Sequence, residues 1–381
     1  MRAPLAGLTV VAVEQAVAAP YCTARLADAG ARVIKIERPE GDFARFYDDA
    51  LKAGSSYFVW LNRGKESVVL DLATPDGRAR LAALIGTADI LVQNLKPGAM
   101  ARMGLGIETL RAAHPRLICC SISGYGESGP LAGRKAYDLL IQAESGLASI
   151  TGGPGEPARV GISIVDIATG AAGHAAILEA LIARGQSGQG ADIRISMFDV
   201  IADWLAVPLL NAEAGRPPRR VGLAHPSVAP YGVFAAADGD AVLISIQSER
   251  EWRTLCRDIL ERPELVEDAR FSSNVARVNH RAETDAAVAE AFARLPGAAL
   301  AERLDRADLA FARMNDMAAL SAHPHLRRIT VETEAGPAAI PAPPAIVAGV
   351  TRDYGRVPAL GEHTEAVLAG LDAACGTEGR A

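Results

Sequence analysis

The sequence predicts an α/β protein with a doubly wound, mainly parallel sheet and a second, smaller domain. Three observations carry that expectation. Short apolar runs alternate with helix-period segments through the first 200 or so residues, as strands joined by crossover helices require. The first three elements form a strand–helix–strand unit ending in an acid, the outline of a dinucleotide-binding fold. Past Leu205 the texture changes, to a polar, proline-bearing linker at Asn211–Arg220 and then charged amphipathic helices, which places a smaller domain at 210–325.

Leu8–Val13 reads as a buried strand, Pro20–Ala29 as a helix with proline in its first turn and Gly30 at its end, and Ala31–Glu37 as the next strand. The turn Gln15–Pro20 contains no glycine, so a pyrophosphate cannot approach it in the usual way and NAD is rejected as the ligand. A strand at Ser67–Leu72, a helix at Pro75–Thr87 and a strand at Ile90–Gln93 follow. Asn94–Gly98 then turns at a carboxyl strand end, the edge where open parallel sheets bind ligands. Ala99–Leu110 reads as one helix, Leu117–Ser123 as a strand, and Lys135 opens another helix. Thr151–Pro157, with Gly152 and Gly153, is a tight loop that could aim backbone amides at a ligand, although such loops are more often plain turns. After the strand Ala191–Ser196 and the linker come a hairpin turning at Asp238–Gly239, helices over Glu249–Leu320, extended segments at Thr330–Thr333 and Ala338–Val347, and a last helix opening near Gly361. The tail from Ala374 reads as loose.

Composition narrows the function. The chain has 381 residues, half of them hydrophobic, and a net charge of −6, which gives no support to nucleic-acid binding. Its five cysteines form no C-x-x-C and no paired spacing with histidine, so reduced thiols in a cytoplasm are expected, without a disulfide frame or a metal site. Glu14 interrupts an N-terminal run that otherwise mimics a signal peptide, and no run of 18 uncharged apolar residues suggests a membrane span.

The chemistry centres on Val160–Gly170. An apolar run carries one carboxylate, Asp166, and passes into a small-residue helix expected over Ile167–Ala183. At a helix start the free N–H groups and the dipole favour an ionised carboxylate, and one held in apolar surroundings is a plausible nucleophile. The plain alternative is an N-cap. The small residues of Ala168–Gly173 would let something bulky approach the backbone. Arg38, Arg63, Lys65, Lys96, Arg102 and Lys135 lie on early turns, where cations suit a phosphorylated ligand, though any one of them taken singly reads more readily as an ordinary solvated charge.

Taken together, Ala18-Ala-Pro, the Leu26–Glu37 block, Asn62-Arg-Gly-Lys65, Leu70-Asp-Leu72, Asn94-x-Lys-Pro-Gly98, Ser123-Gly-Tyr-Gly126, the Asp166 block, His225 with Pro230-Tyr-Gly232, and Pro341-x-Pro resemble the class III CoA-transferases. This is the family of formyl-CoA transferase and carnitine CoA-transferase, and the likeness spans nearly the whole chain. It implies a Rossmann-like large domain built from both chain ends, 1–205 with a return at 326–381, an inserted α+β domain, and an interlocked homodimer. It implies Asp166 as the catalytic aspartate, with Tyr137, Asp138, Gly152 and Gly153 supporting it and Arg38, Lys96, Arg102 and Lys135 on the CoA. CoA enters as acyl-CoA substrate, the other substrate is a carboxylic acid, and no cofactor stays bound. The family also holds 2-methylacyl-CoA racemases, in which a histidine precedes the second aspartate. Here that residue is Tyr137, and a phenol, titrating near 10, is poorly suited to take an α-proton. Val17 and Ala19 depart from the formyl-CoA transferase pattern, which points away from oxalate and formate. Val160–Asp166, Ser196–Asp199 and Asp203-Trp204 look closer to the branch acting on C4–C5 dicarboxylic acyl-CoAs such as succinyl-, mesaconyl-, itaconyl- or malyl-CoA. A non-catalytic CoA-binding protein is the reading from another class.

Overall fold

The computed structural model describes residues 3–378. The chain divides into two compact units. The first comprises the chain up to Leu147, Val160–Ala206 and everything from Arg327 on; the second comprises Ala148–Arg159 and Val207–Leu326. The segment 148–159, which the sequence reading kept within 1–205, therefore groups with the second unit.

In the first unit six strands form one sheet: β1 (Thr9–Val13), β2 (Arg32–Glu37), β3 (Lys65–Val69), β4 (Ile90–Gln93), β5 (Ile118–Ser123) and β6 (Asp192–Ser196). Their order is β3-β2-β1-β4-β5-β6 and every neighbouring pair is parallel. This is the doubly wound order, which reverses between β1 and β4 and opens a crevice at their carboxyl ends. Alternation along the strands explains the layers. Val10, Ala12, Val33, Ile90 and Val92 pack with the helices Ala18–Asp28 and Ile164–Ser187. Val11, Val13, Ile34, Ile36 and Leu91 pack with Pro75–Gly86 and, through Val367 and Leu371, with the last helix, Thr364–Glu378. The side chains of the tail from Ala374 lie outside the described residues.

The helix Ile164–Ser187 has the length and mean hydropathy of a membrane span. One face of it is set against Ala18–Asp28, β5 and β6. At the crossing with Ala18–Asp28, a Cβ on Gly170 would sit 2.4 Å from the Ala18 carbonyl oxygen and 2.9 Å from Tyr21 Cβ. What approaches the backbone at the small residues is thus another helix. Two boundaries also move. The third strand lies at Lys65–Val69 instead of Ser67–Leu72, and the helix read over Ala99–Leu110 is two, Ala99–Arg102 and Ile107–Ala113, parted at Gly104 with its φ of +80°. Strands β10 (Arg328–Thr333) and β11 (Gly336–Pro341) form a hairpin whose Val331 and Ile340 pack with Phe58 and Val59.

In the second unit β7 (Tyr231–Ala235), β8 (Ala241–Ser245) and β9 (Phe311–Arg313) form an antiparallel sheet, with Asp238–Gly239 between the first two. Trp252, Phe292, Leu300 and Leu304 fill its core. β9 falls in the stretch read as helical. It is three residues long and surrounded by helical, charged sequence.

Candidate active site

Asp166 is the third residue of the helix Ile164–Ser187, within its first turn, so it is not the N-cap. Ser163 holds that position and makes no side-chain cap bond. The cap comes from Asp138, 27 residues before Val165 in the chain. Its Oδ1 accepts the Val165 amide at 2.7 Å and the Asp166 amide at 3.3 Å, and its Oδ2 accepts Gln142 Nε2 at 2.7 Å. Gln142 Oε1 in turn accepts the Val160 amide at 2.9 Å, tying down the run that leads into the helix. Asp138 is buried and fully engaged, which makes it the structural carboxylate of the pair.

The Asp166 carboxylate is left with nothing to do. Among the described residues it accepts no hydrogen bond and joins no ion pair, although the side chain is only half-exposed. Burial pushes its pKa up to about 7, and the Asp138 charge adds to the rise. Both causes oppose the pull of the helix dipole, which favours the ionised form. A carboxylate that titrates near neutrality is more basic, hence more nucleophilic when ionised, than a solvated one. A rate that needs ionised Asp166 should rise with pH through about 7. Asp138→Asn keeps an oxygen for the two amides but removes the charge, so the rising limb of kcat/KM is expected to move to lower pH. An unmoved limb would remove Asp138 from the electrostatics of the site.

The sequence reading missed Tyr47. Burial pushes its phenol well above the usual range, and Asp42, Asp166, Tyr137 and Tyr57 push it the same way, which places Tyr47 within electrostatic reach of Asp166 and Tyr137. Tyr57 meets the Tyr47 ring edge-on at 5.4 Å. A phenol held protonated offers an O–H donor to carboxylates. No sequence pattern singles out Tyr47.

A cleft of about 410 Å³ opens at the carboxyl ends of β1 and β2, beyond β3 and over the turn after β4. Arg38 and Arg102 come together on its wall. Lys96 and Lys135 are exposed and do not line it. Among the described residues none of these four cations is in an ion pair. Arg63 and Lys65 are different: both are buried, Arg63 with two bonds to Asp28 and Lys65 at 2.7 Å from Glu14. They belong to the core and are removed from the phosphate candidates. Gly152 and Gly153 lie in the second unit, where the Gly152 carbonyl accepts the Gly222 amide and the Gly153 carbonyl accepts Arg220 Nε.

Comparison with known proteins places the whole chain. A family model described as CoA-transferase family III matches residues 5–364. A succinate–glutarate CoA-transferase of Agrobacterium fabrum is 36% identical, over 97% of this chain and 96% of that one. An acetyl-CoA:oxalate CoA-transferase of Acetobacter aceti is also 36% identical, over 96% and 95%. The crystal structure of a CAIB/BAIF family protein from Brucella suis superposes with a TM-score of 0.83 at 34% identity, covering 98% of this chain and 100% of the other.

Proposed function

The chain belongs to CoA-transferase family III, and from that premise we propose that it moves CoA from a C4–C5 dicarboxylic acyl-CoA to a carboxylate through covalent intermediates on Asp166. The Asp166 carboxylate attacks the thioester carbonyl and expels CoA thiolate, leaving an aspartyl–acyl anhydride. The thiolate attacks the aspartyl carbonyl, releases the first acid and leaves an aspartyl-CoA thioester. The acceptor carboxylate then attacks that thioester and displaces the thiolate, which takes the acceptor's acyl group from the new anhydride and restores Asp166. Each step exchanges acyl groups between a carboxylate and a thiolate, so one difficult exchange becomes several easier ones.

The observation that carries this reading is the half-buried Asp166 carboxylate, which has no donor of its own while Asp138 caps its helix. A group that were only a cap would be bonded to the amides that Asp138 takes. Arg38 and Arg102 in the cleft, with Lys96 and Lys135 beyond it, would hold the CoA phosphates and adenine; their lack of carboxylate partners supports that role. Tyr137 stands where a racemase would carry a histidine, and a phenol is poorly suited to take an α-proton, which supports transfer over racemisation.

The preference for C4–C5 dicarboxylates rests on the succinate–glutarate relative and on the Val160–Asp166 block. The oxalate relative keeps a C2 acid in the comparison. The test is a panel of CoA donors (succinyl-, mesaconyl-, itaconyl-, acetyl-) against free acids (glutarate, mesaconate, oxalate), read by mass spectrometry. Exchange confined to acetyl-CoA and oxalate would overturn the proposed substrate class. The reading extends to a cytoplasmic, interlocked homodimer, in keeping with exposed apolar side chains on the first unit such as Leu140, Ile182 and Trp204. Light scattering on the same samples tests the dimer.

A further inference from the structure

Beneath the cleft lies a set of charges that the transfer scheme does not use. Glu14, Lys35, Asp42 and Lys65 are all at most 4% exposed. Lys65 Nζ lies 2.7 Å from Glu14 Oε1, and Lys35 Nζ lies 3.5 Å from the same oxygen and 2.8 Å from Asp42 Oδ2. Two cations thus alternate with two anions in one chain. Thr23 Oγ1 donates to the other Glu14 oxygen at 2.6 Å, and Glu37 Oε2 accepts the Asp42 amide at 3.0 Å. Buried ion pairs are costly to dehydrate, and apolar residues of like volume often serve stability as well or better. A role in fixing geometry is therefore the better account of this chain of charges.

Its far end shows what is fixed. Asp42 Oδ1 accepts the Ala16 amide at 3.1 Å and the Ala44 amide at 2.9 Å. Ala16 has φ of +65°, a left-handed conformation that costs a non-glycine residue free energy unless its surroundings impose it. From the other side Asn94 clasps Gln15, its Oδ1 accepting the Gln15 amide at 3.0 Å and its Nδ2 donating to the Gln15 carbonyl at 2.8 Å. This turn joins β1 to the helix Ala18–Asp28 at the reversal of strand order, and Glu14, Gln15, Gly41 and Asp42 all line the cleft. The absence of glycine from the turn, which argued against a dinucleotide, is thus offset by side chains that hold an alanine where glycine would sit freely.

We propose that Asp42, its carboxylate fixed by Lys35, is a positioning residue that holds the Gln15–Ala16 turn in the shape the CoA thioester requires of the cleft floor. The inference rests on the proposed use of that cleft for CoA. It is tested by the dissociation constant of CoA, measured by calorimetry, and by steady-state constants with succinyl-CoA and glutarate. Asp42→Ala is expected to raise the CoA Kd and the KM for succinyl-CoA about tenfold, the size of one lost charge-assisted hydrogen bond. The KM for glutarate and kcat should change less than about twofold, since the reacting carboxylate is elsewhere. Asp42→Asn, which keeps an oxygen for the Ala16 amide, should recover most of the loss. A purely structural role would lower kcat by depleting folded enzyme and leave the Kd and both KM values alone, and that result overturns the proposal. If Asp42→Ala does not fold, Lys35→Met frees the Asp42 carboxylate at similar volume, and an unchanged CoA Kd there overturns it equally. A wild-type protein that transfers no CoA, yet whose CoA Kd responds to Asp42, defeats the transfer reading and leaves this inference standing. Intact transfer with an unmoved Kd defeats this inference alone.

Discussion

Asp166→Ala is expected to lower CoA transfer by roughly 10⁴-fold or more, the scale seen when a covalent nucleophile is removed, while CoA binding persists. The two halves of that result separate because the carboxylate and the cleft are built by different elements. Asp166 sits in the first turn of the helix Ile164–Ser187, whereas the cleft is lined by residues following β1 to β4. The helix itself should survive, because its opening amides are bonded to Asp138 and not to Asp166. Truncation also removes an uncompensated buried charge, so no loss of fold accompanies the loss of rate. During turnover the wild-type protein should gain the mass of an acyl group or of CoA, and hydroxylamine should convert Asp166 to the hydroxamate. Transfer by Asp166→Ala at the wild-type rate, or turnover with no adduct at residue 166, sinks the mechanism. Exchange of the α-proton of a 2-methylacyl-CoA in deuterated water without an acceptor acid would replace it by racemisation.

Gly170→Ala is expected to damage stability and rate together, because its clash lies one turn from the reacting carboxylate. The added Cβ would lie 2.4 Å from the Ala18 carbonyl oxygen, a backbone atom that cannot swing aside as a side-chain tip can. Either the two helices separate or one of them shifts along its axis. Overpacking of this kind costs about 1–3 kcal/mol, partly offset by the roughly 1 kcal/mol gain in helix propensity over glycine. The displacement would also be felt at Asp166, one turn earlier on the same rigid helix, and a shift approaching 1 Å at a reacting group can cost about 10²-fold in rate. A lower melting temperature with a lower kcat is the expected outcome. A variant as stable and as fast as wild type would show that the crossing has room to spare.

Much of the fold was legible because its signals are local. The apolar runs Val10–Val13 and Ile90–Val92, Pro20 near the first turn of its helix and Gly30 after it marked the first unit's strands and crossover helix correctly. Asp166 stood out as the lone charge in an apolar run. Its place in the helix was misread because Ser163, a residue type that favours the position before a helix, was passed over, and because the side chain that bonds the opening amides comes from 27 residues before Val165. The buried charges were invisible for a similar reason. Lysine and arginine read as surface, and only the tertiary contacts with Glu14 and Asp28 withdraw Lys65 and Arg63 from solvent. Arg38 and Arg102 carried no such partner and stayed at the cleft.

The last helix has a consequence for how the molecule is made. Val367 and Leu371 cover one face of a sheet whose other strands have all been synthesised by Ser196. At about 5–20 residues per second, that face, already carrying the helix Pro75–Gly86, waits roughly 10–30 s for its last covering helix while the second unit, nearly all of its chain contiguous, emerges and packs. The first half of the nascent polypeptide should therefore stay protease-sensitive on stalled ribosomes until translation has passed the final helix. Early protection of β1 to β4 would mean the sheet closes on something else in the interval.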